Sequence, residues 1–237
     1  MIHLYALCAG PGDLADLRGV DDAPVHAVEV DRGLVAVHSE HARRPVPTRE
    51  RALRHFEVVT AACRRCERAL PVRYGEVHHD LPALCEALRA DTADLRARLD
   101  RVGGHVEILV RLAAPPRTDP VPAEPSASEP VAVGAAPAPP DAEAPGAGRA
   151  YLQARRDAEA RTAAAHAAAV TTLRRPTQHL AVLAAEVVER AGPTGPERCF
   201  RVIRHDAEQL LATARTAAAT SDDDLVVGGP WPPYTFA

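Results

Sequence analysis

Between Ala113 and Gly148 the chain runs through ten prolines set among Ala, Glu, Ser and Gly, with almost no large apolar side chain. Such a stretch cannot bury enough surface to offset the entropy of ordering it, so it predicts an extended linker rather than part of a core. Residues 1–113 and 149–237 must then each build a hydrophobic layer of their own, with 114–148 as the boundary between two domains. At 237 residues and 46% hydrophobic content the chain is long enough for both.

In the first part, Ile2 to Cys8 is a compact apolar strand stopped by Ala9-Gly10-Pro11-Gly12. Val25–Val30 and Leu34–Ser39 alternate around Asp31-Arg32-Gly33, which predicts an antiparallel hairpin. From Pro47 to about Ala69, Leu53, Phe56, Val59 (or Thr60) and Cys63 recur at helical spacing, with Thr48 as N-cap. Leu70 to Gly75 is a short extended piece. A second helix starts after Asp80, carries Leu84, Leu88, Leu95 and Leu99 as its buried stripe, and ends at Gly103-Gly104; Val106–Leu112 is a strand. This order predicts a small open sheet with two helices on one face, a ferredoxin-like α+β layer.

Beyond the linker, Tyr151 to about Arg174 has high helix propensity and a thin apolar face, so a long and largely solvated helix is expected. Residues 180–190 suit helix or strand. Arg198–Arg204 alternates as a strand, Asp206 is placed to cap a helix over 207–219, and Leu225-Val226-Val227 forms a final strand. The second part is again α+β.

The formal net charge of −4 and the absence of a clustered basic face exclude a nucleic-acid footprint. No apolar run approaches the roughly 20 residues a membrane span requires. Five scattered cysteines without a secretory leader point to a reduced, cytoplasmic protein. Cys63-x-x-Cys66 lies inside a helix pattern with no second Cys or His pair at zinc spacing, which makes incidental helix cysteines the better reading. His78 and His79 point to opposite sides of an extended segment and cannot readily share one ion. Serine is scarce and no phosphate-binding glycine loop is present, so no catalytic residue, cofactor or metal is assigned.

The C-terminal run Pro230-Trp231-Pro232-Pro233-Tyr234-Thr235-Phe236 is out of character: it holds the only Trp in a chain with 3% aromatic residues. Its prolines stiffen the backbone and present Trp231, Tyr234 and Phe236 at low entropic cost. Either these rings close the protein's own core or they plug a partner's groove. The strand leading directly into them favours a seal on the second domain, and with it a loss of about 3–5 kcal/mol for Trp231→Ala if the ring is buried. Arg73, between Pro71 and Gly75, is placed to pin a carboxylate or carbonyl groups, with a structural ion pair ahead of a direct partner contact. Arg155, Arg156, Glu159 and Arg161 read as a solvated helix face.

These blocks together resemble the gas vesicle proteins GvpL and GvpF. Gly229–Phe236 is similar to the family's ending GPWPPYSF, Leu70–Gly75 to its LPVRFG block, Gly148–Leu152 to its GxxYL entry into a long helix, and Ile2–Ala6 to its opening strand; His55 falls where the family often has histidine. Thr235 stands for Ser, Tyr74 for Phe, and the linker is longer. The resemblance implies a non-enzymatic accessory protein of gas vesicle assembly, with a ferredoxin-like first domain and an α+β second domain. It also implies contact with the small hydrophobic shell protein GvpA, and with other accessory proteins, during shell nucleation or growth, reaching the gas-facing surface. Arg73, Tyr74, Tyr151, Arg155, Trp231, Pro232, Pro233, Tyr234 and Phe236 become the candidate partner-binding or structural residues, and a monomer is the expected state. A small-molecule-binding or catalytic α+β protein is the alternative, because a fold does not settle function.

Overall fold

The structure is a computed structural model, and residues 1–10, 12–113 and 147–237 are described. It is α+β, with two antiparallel sheets and helices. The first sheet runs in the order β2 (Val25–Asp31), β3 (Leu34–Glu40), β1 (Ile2–Ala9), β4 (Ala69–Pro71), and β5 (Val77–His78) pairs with β1. The β2–β3 hairpin forms where the turn residues require it. Arg32 and Gly33 both take positive φ, at 33° and 83°, as a tight two-residue turn demands, and the Gly33 N–H donates to the Glu29 carboxylate at 2.8 Å.

Helix α1 (Arg49–Arg65) begins at the expected N-cap, where the Thr48 hydroxyl accepts from the Arg51 N–H at 3.2 Å. Its buried face includes Val59 and Cys63, as the spacing predicts, but not Leu53. Leu53 is 54% exposed, and His55, Val58, Val59, Ala62 and Cys63 face inward. The expected second helix is two: α2 (Leu81–Ala90) and α3 (Thr92–Val102), broken at Asp91, with φ −110° and ψ 14°. All four predicted leucines are buried on either side of the break, and the Thr92 hydroxyl turns back onto the Leu88 and Arg89 carbonyls.

The helices do not share one face of the first sheet. Val35 and Val37 pack with α1, whereas Leu34 and Ala36, the alternate residues of β3, pack with α2 and α3. β1 is therefore buried along nearly its whole length, which accounts for its unbroken apolar character.

A second correction concerns β6 (His105–Leu112). The order of elements predicts that it completes the first sheet, but it lies inside the second, whose order is β7 (Glu186–Gly192), β8 (Gly195–Ile203), β6, β9 (Leu225–Trp231). Its centre, Glu107 to Val110, is buried on both faces, as suits an interior strand with two neighbours rather than an edge. One face of this sheet, with Ile108, Val110, Phe200 and Val202, is covered by Leu173 of α4 (Ala147–Thr177) and by Leu210 and Ala214 of α5 (Ala207–Thr220). The other face, with Leu109 and Cys199, packs into the cluster that α2 and α3 share with the first sheet.

The segment that suited either helix or strand divides: 178–183 is a short 3₁₀ turn and 186–192 is strand β7. Asp206 sits at the N-cap of α5 but its side chain makes no cap bond; its carboxylate lies 3.0 Å from the His205 ring instead. The linker reading falls almost wholly outside the described residues, and α4 begins at Ala147, two residues inside the stretch assigned to it.

Candidate functional site

β9 pairs with β6 through Trp231, opposite Glu107, and the chain then leaves the sheet. Two short turns follow, with the Tyr234 N–H donating to the Pro232 carbonyl at 2.8 Å and the Phe236 N–H to the Pro233 carbonyl at 3.1 Å. They aim alternate side chains to opposite sides. Tyr234 packs against the cluster that α1 makes with the first sheet, and burial, with the Cys63 thiol second, pushes its phenol well above the ordinary range. Phe236, 3% exposed, enters the cluster shared by α2, α3 and both sheets, with the Arg201 guanidinium 5.9 Å from its ring centre. Between them Thr235 is held by the buried Glu107, which accepts from its N–H at 2.9 Å and from its hydroxyl at 2.7 Å.

The C-terminal segment is thus a wedge between the two sheets, not a seal on the second alone. Pro232, Pro233 and Phe236 are its buried members. Trp231, expected to be the buried ring, is 37% exposed and lies across Gly228, where an added Cβ would come within 2.4 Å of the indole. The reason is register: Trp231 ends the strand, and the turn that follows gives the inward directions to later residues.

The Leu70–Gly75 block borders the same seam. Leu70 and Pro71 are buried in β4, and the chain then turns outward. Arg73 is exposed, and among the described residues it makes no hydrogen bond and no structural ion pair. With Glu76 and Arg98 it borders a cavity of about 380 Å³ whose walls are Leu4, Leu7, Leu88 and Leu95, closed on another side by Tyr234. Tyr74 is half-buried, with its ring 5.2 Å from that of His3 and 5.5 Å from that of His55.

Those histidines belong to a buried polar network that apolar spacing cannot reveal. His55 Nε2 faces the Val72 carbonyl at 2.9 Å and must carry a proton; its Nδ1 therefore accepts from His3 Nε2–H at 2.9 Å. Beside them the Tyr5 hydroxyl accepts from the Val20 N–H at 2.8 Å and bonds Ser39, which bonds His41. Burial, reinforced by His55 and His41, lowers the His3 pKa to about 3, and burial lowers His55 and His41 as well. Only the position of His55 on the inward face, beside Val58, Val59 and Ala62, signals the network in sequence.

The remaining candidates stand apart from the seam. Tyr151 is half-buried and Arg155 is exposed on α4, its Nε donating to Glu159 at 3.0 Å, and no hydrogen bond among the described residues joins either to the C-terminal segment. Cys63 and Cys66 are buried free thiols; burial pushes Cys63 up to about 12, whereas a hydrogen bond from Cys8, helped by Arg204, lowers Cys66. Among the described residues, no group of three or more His, Cys, Asp or Glu is placed to hold a metal, and no helix is long and apolar enough to cross a membrane.

The family model for the gas vesicle synthesis proteins GvpL/GvpF matches residues 1–237. The chain belongs to the GvpL/GvpF family. Its fold is similar to the crystal structure of the gas vesicle protein GvpF from Anabaena sp. PCC7120, with a TM-score of 0.70 and 18% identity over 100% of this chain and 95% of that one. It is also similar to GvpF from Microcystis aeruginosa, with a TM-score of 0.68 and 16% identity over 99% and 98% of the two chains. At those identities the likeness speaks to fold alone. No curated protein matches the sequence significantly. Membership in the GvpL/GvpF family associates the protein with gas vesicles.

Proposed function

We propose that this GvpL/GvpF protein is a non-enzymatic assembly factor that holds the small hydrophobic shell protein GvpA while the gas vesicle shell nucleates or grows. The observation that carries the reading is the whole-chain family match, and the seam is consistent with it. Arg73 is solvent-facing, and without a partner among the described residues, at the edge of a cavity walled by leucines and bordered by Glu76 and the exposed Arg98. An apolar segment seated there would be oriented by guanidinium groups at its rim, and its carbon would be shielded until the shell buries it. GvpA is expected to dock on this side, with other accessory proteins free to use the solvated α4 around Tyr151 and Arg155. The protein acts in the cytoplasm and at the vesicle, as a monomer.

Co-expression with GvpA followed by capture at low and at high salt tests this. Association at low salt is expected; none at any salt removes the reading. The catalytic alternative gains little from the cavity: beside its leucines the lining offers Arg73, Glu76, Arg98 and the Tyr234 ring, with no Ser, Cys or His among the lining residues to act as a nucleophile.

A further inference from the structure

A second cleft, of about 210 Å³, lies where α1, the start of α5 and Trp231 converge. One wall is apolar, made by Val106, Pro230, Trp231 and Pro232. The other carries two guanidinium groups, Arg64 and Arg204. Arg204 is clamped onto the C-terminal end of α1, donating to the Cys63 and Arg64 carbonyls, and its Nε has no partner among the described residues. Neither arginine has a carboxylate partner among the described residues, although Arg65, Arg68, Arg101, Arg174 and Arg201 all do. The single acid lining the cleft, Glu208, is exposed and paired to neither.

We propose that this cleft is an anchor site for a peptide segment of a partner protein in which an apolar side chain adjoins a carboxylate. Size selects the occupant: small-molecule sites typically exceed about 300 Å³, so this volume suits one inserted side chain. The apolar wall sets what fills it, since an aliphatic side chain against an indole and two proline rings removes hydrocarbon from water on both partners. Charge sets what lies beside it. A neutral segment would cover the fixed Arg204 guanidinium and leave it poorly solvated and unpaired, whereas a carboxylate accepts its hydrogen bonds, with Arg64 adding a second attraction. A bare phosphate would leave the apolar wall unused. The inference does not depend on which gas vesicle component the protein holds.

Trp231 is the only tryptophan in the chain, so its emission reports the cleft directly. The full chain is titrated with acetyl-Leu-Glu-amide and with its isostere acetyl-Leu-Gln-amide. A saturable change in emission is expected for the acidic dipeptide, with a midpoint of about 1–10 mM, the range that contacts so few can supply. The Gln isostere and 0.5 M salt should each weaken it at least about fivefold, because Arg64 is exposed and screened. Arg204→Gln should abolish the response. Because Arg204 also steadies the end of α1, Arg64→Gln serves as the second variant and should weaken the midpoint while leaving the melting temperature unchanged. No saturable change up to about 50 mM, well past the expected midpoint, overturns the proposal. Equal response to both dipeptides, or Arg64→Gln indistinguishable from the parent chain, overturns it as well.

Discussion

Glu107 and Thr235, 128 residues apart, meet in a two-point hydrogen bond: one carboxylate oxygen takes the threonine N–H and the other takes its hydroxyl. This contact pins the C-terminal wedge to an interior strand of the second sheet and fixes where Tyr234 and Phe236 point. A serine would present the same hydroxyl to Glu107. Thr235→Ser should therefore change stability by less than about 0.5 kcal/mol. Thr235→Val leaves one oxygen of a buried carboxylate unpaired and should cost about 1.5–3 kcal/mol. Urea unfolding of the three proteins measures the difference, and equal midpoints for Val and Ser would show that the hydroxyl contributes nothing.

Phe236, not Trp231, should be the aromatic residue on which folding depends. Phe236→Ala empties a site between the two sheets and should cost about 3–5 kcal/mol. Trp231→Ala removes a partly exposed ring and should cost about 1 kcal/mol. Thermal melts of both variants decide it, and the reverse order would mean that the wedge docks differently.

Acid should weaken the first sheet through its histidines. The His3 pKa is lowered from its ordinary 6.5 to about 3, so below pH 6.5 the unfolded chain binds a proton that the folded chain refuses. Stability is fully present above pH 6.5 and falls as pH drops toward 3. His3 alone accounts for about 1.5 kcal/mol between pH 6.5 and 5, and His41 and His55, shifted the same way, add to it. Asp21 acts in the opposite direction, as the weakest of the influences on His3. Denaturant midpoints from pH 7.5 to 5 check this; a flat profile contradicts the buried, neutral network.

Arg73→Ala should leave the melting temperature within about 1 °C of the parent chain, because the exposed side chain makes no hydrogen bond or ion pair among the described residues. It should at the same time reduce capture of co-expressed GvpA several-fold. A variant that melts early would return Arg73 to a structural role, and one that melts normally and binds normally would remove it from the docking surface.

Much of the local structure was legible from residues alone, because its causes are local. The Asp31-Arg32-Gly33 turn needs positive φ and has a glycine there. Thr48 caps α1 with its own hydroxyl. Leu84, Leu88, Leu95 and Leu99 are buried as their spacing requires, even though the helix carrying them breaks at Asp91. On α1 the spacing finds Val59 and Cys63 but misses His55, because counting apolar residues passes over a histidine. His55 is buried for the hydrogen bonds it makes to His3 and Val72, residues that lie far from it in sequence.

The candidate site was legible as a list of blocks and not as an arrangement. Arg73 and the C-terminal aromatic run each stood out by composition, and the structure brings Arg73 and Tyr234 to one cavity while leaving Tyr151 and Arg155 on a separate, solvated helix. Arg204 carried no sequence signal, since nothing in an alternating strand marks the arginine at its end as the one that clamps another helix.

By itself the sequence determined most of the elements, the Thr48 cap, the Asp31-Arg32-Gly33 turn, the α+β class and the family, because propensity, periodicity and a rare terminal string are properties of neighbouring residues. Tertiary structure alone decided that β6 joins the second sheet, that the helices cover opposite faces of the first, and that the wedge buries Phe236 while Trp231 stays half in water. Each of those outcomes depends on which distant segment offers a matching edge or cavity. Apolar strands such as β6 can satisfy their backbone in either sheet, and only the competition among all available partners chooses between them.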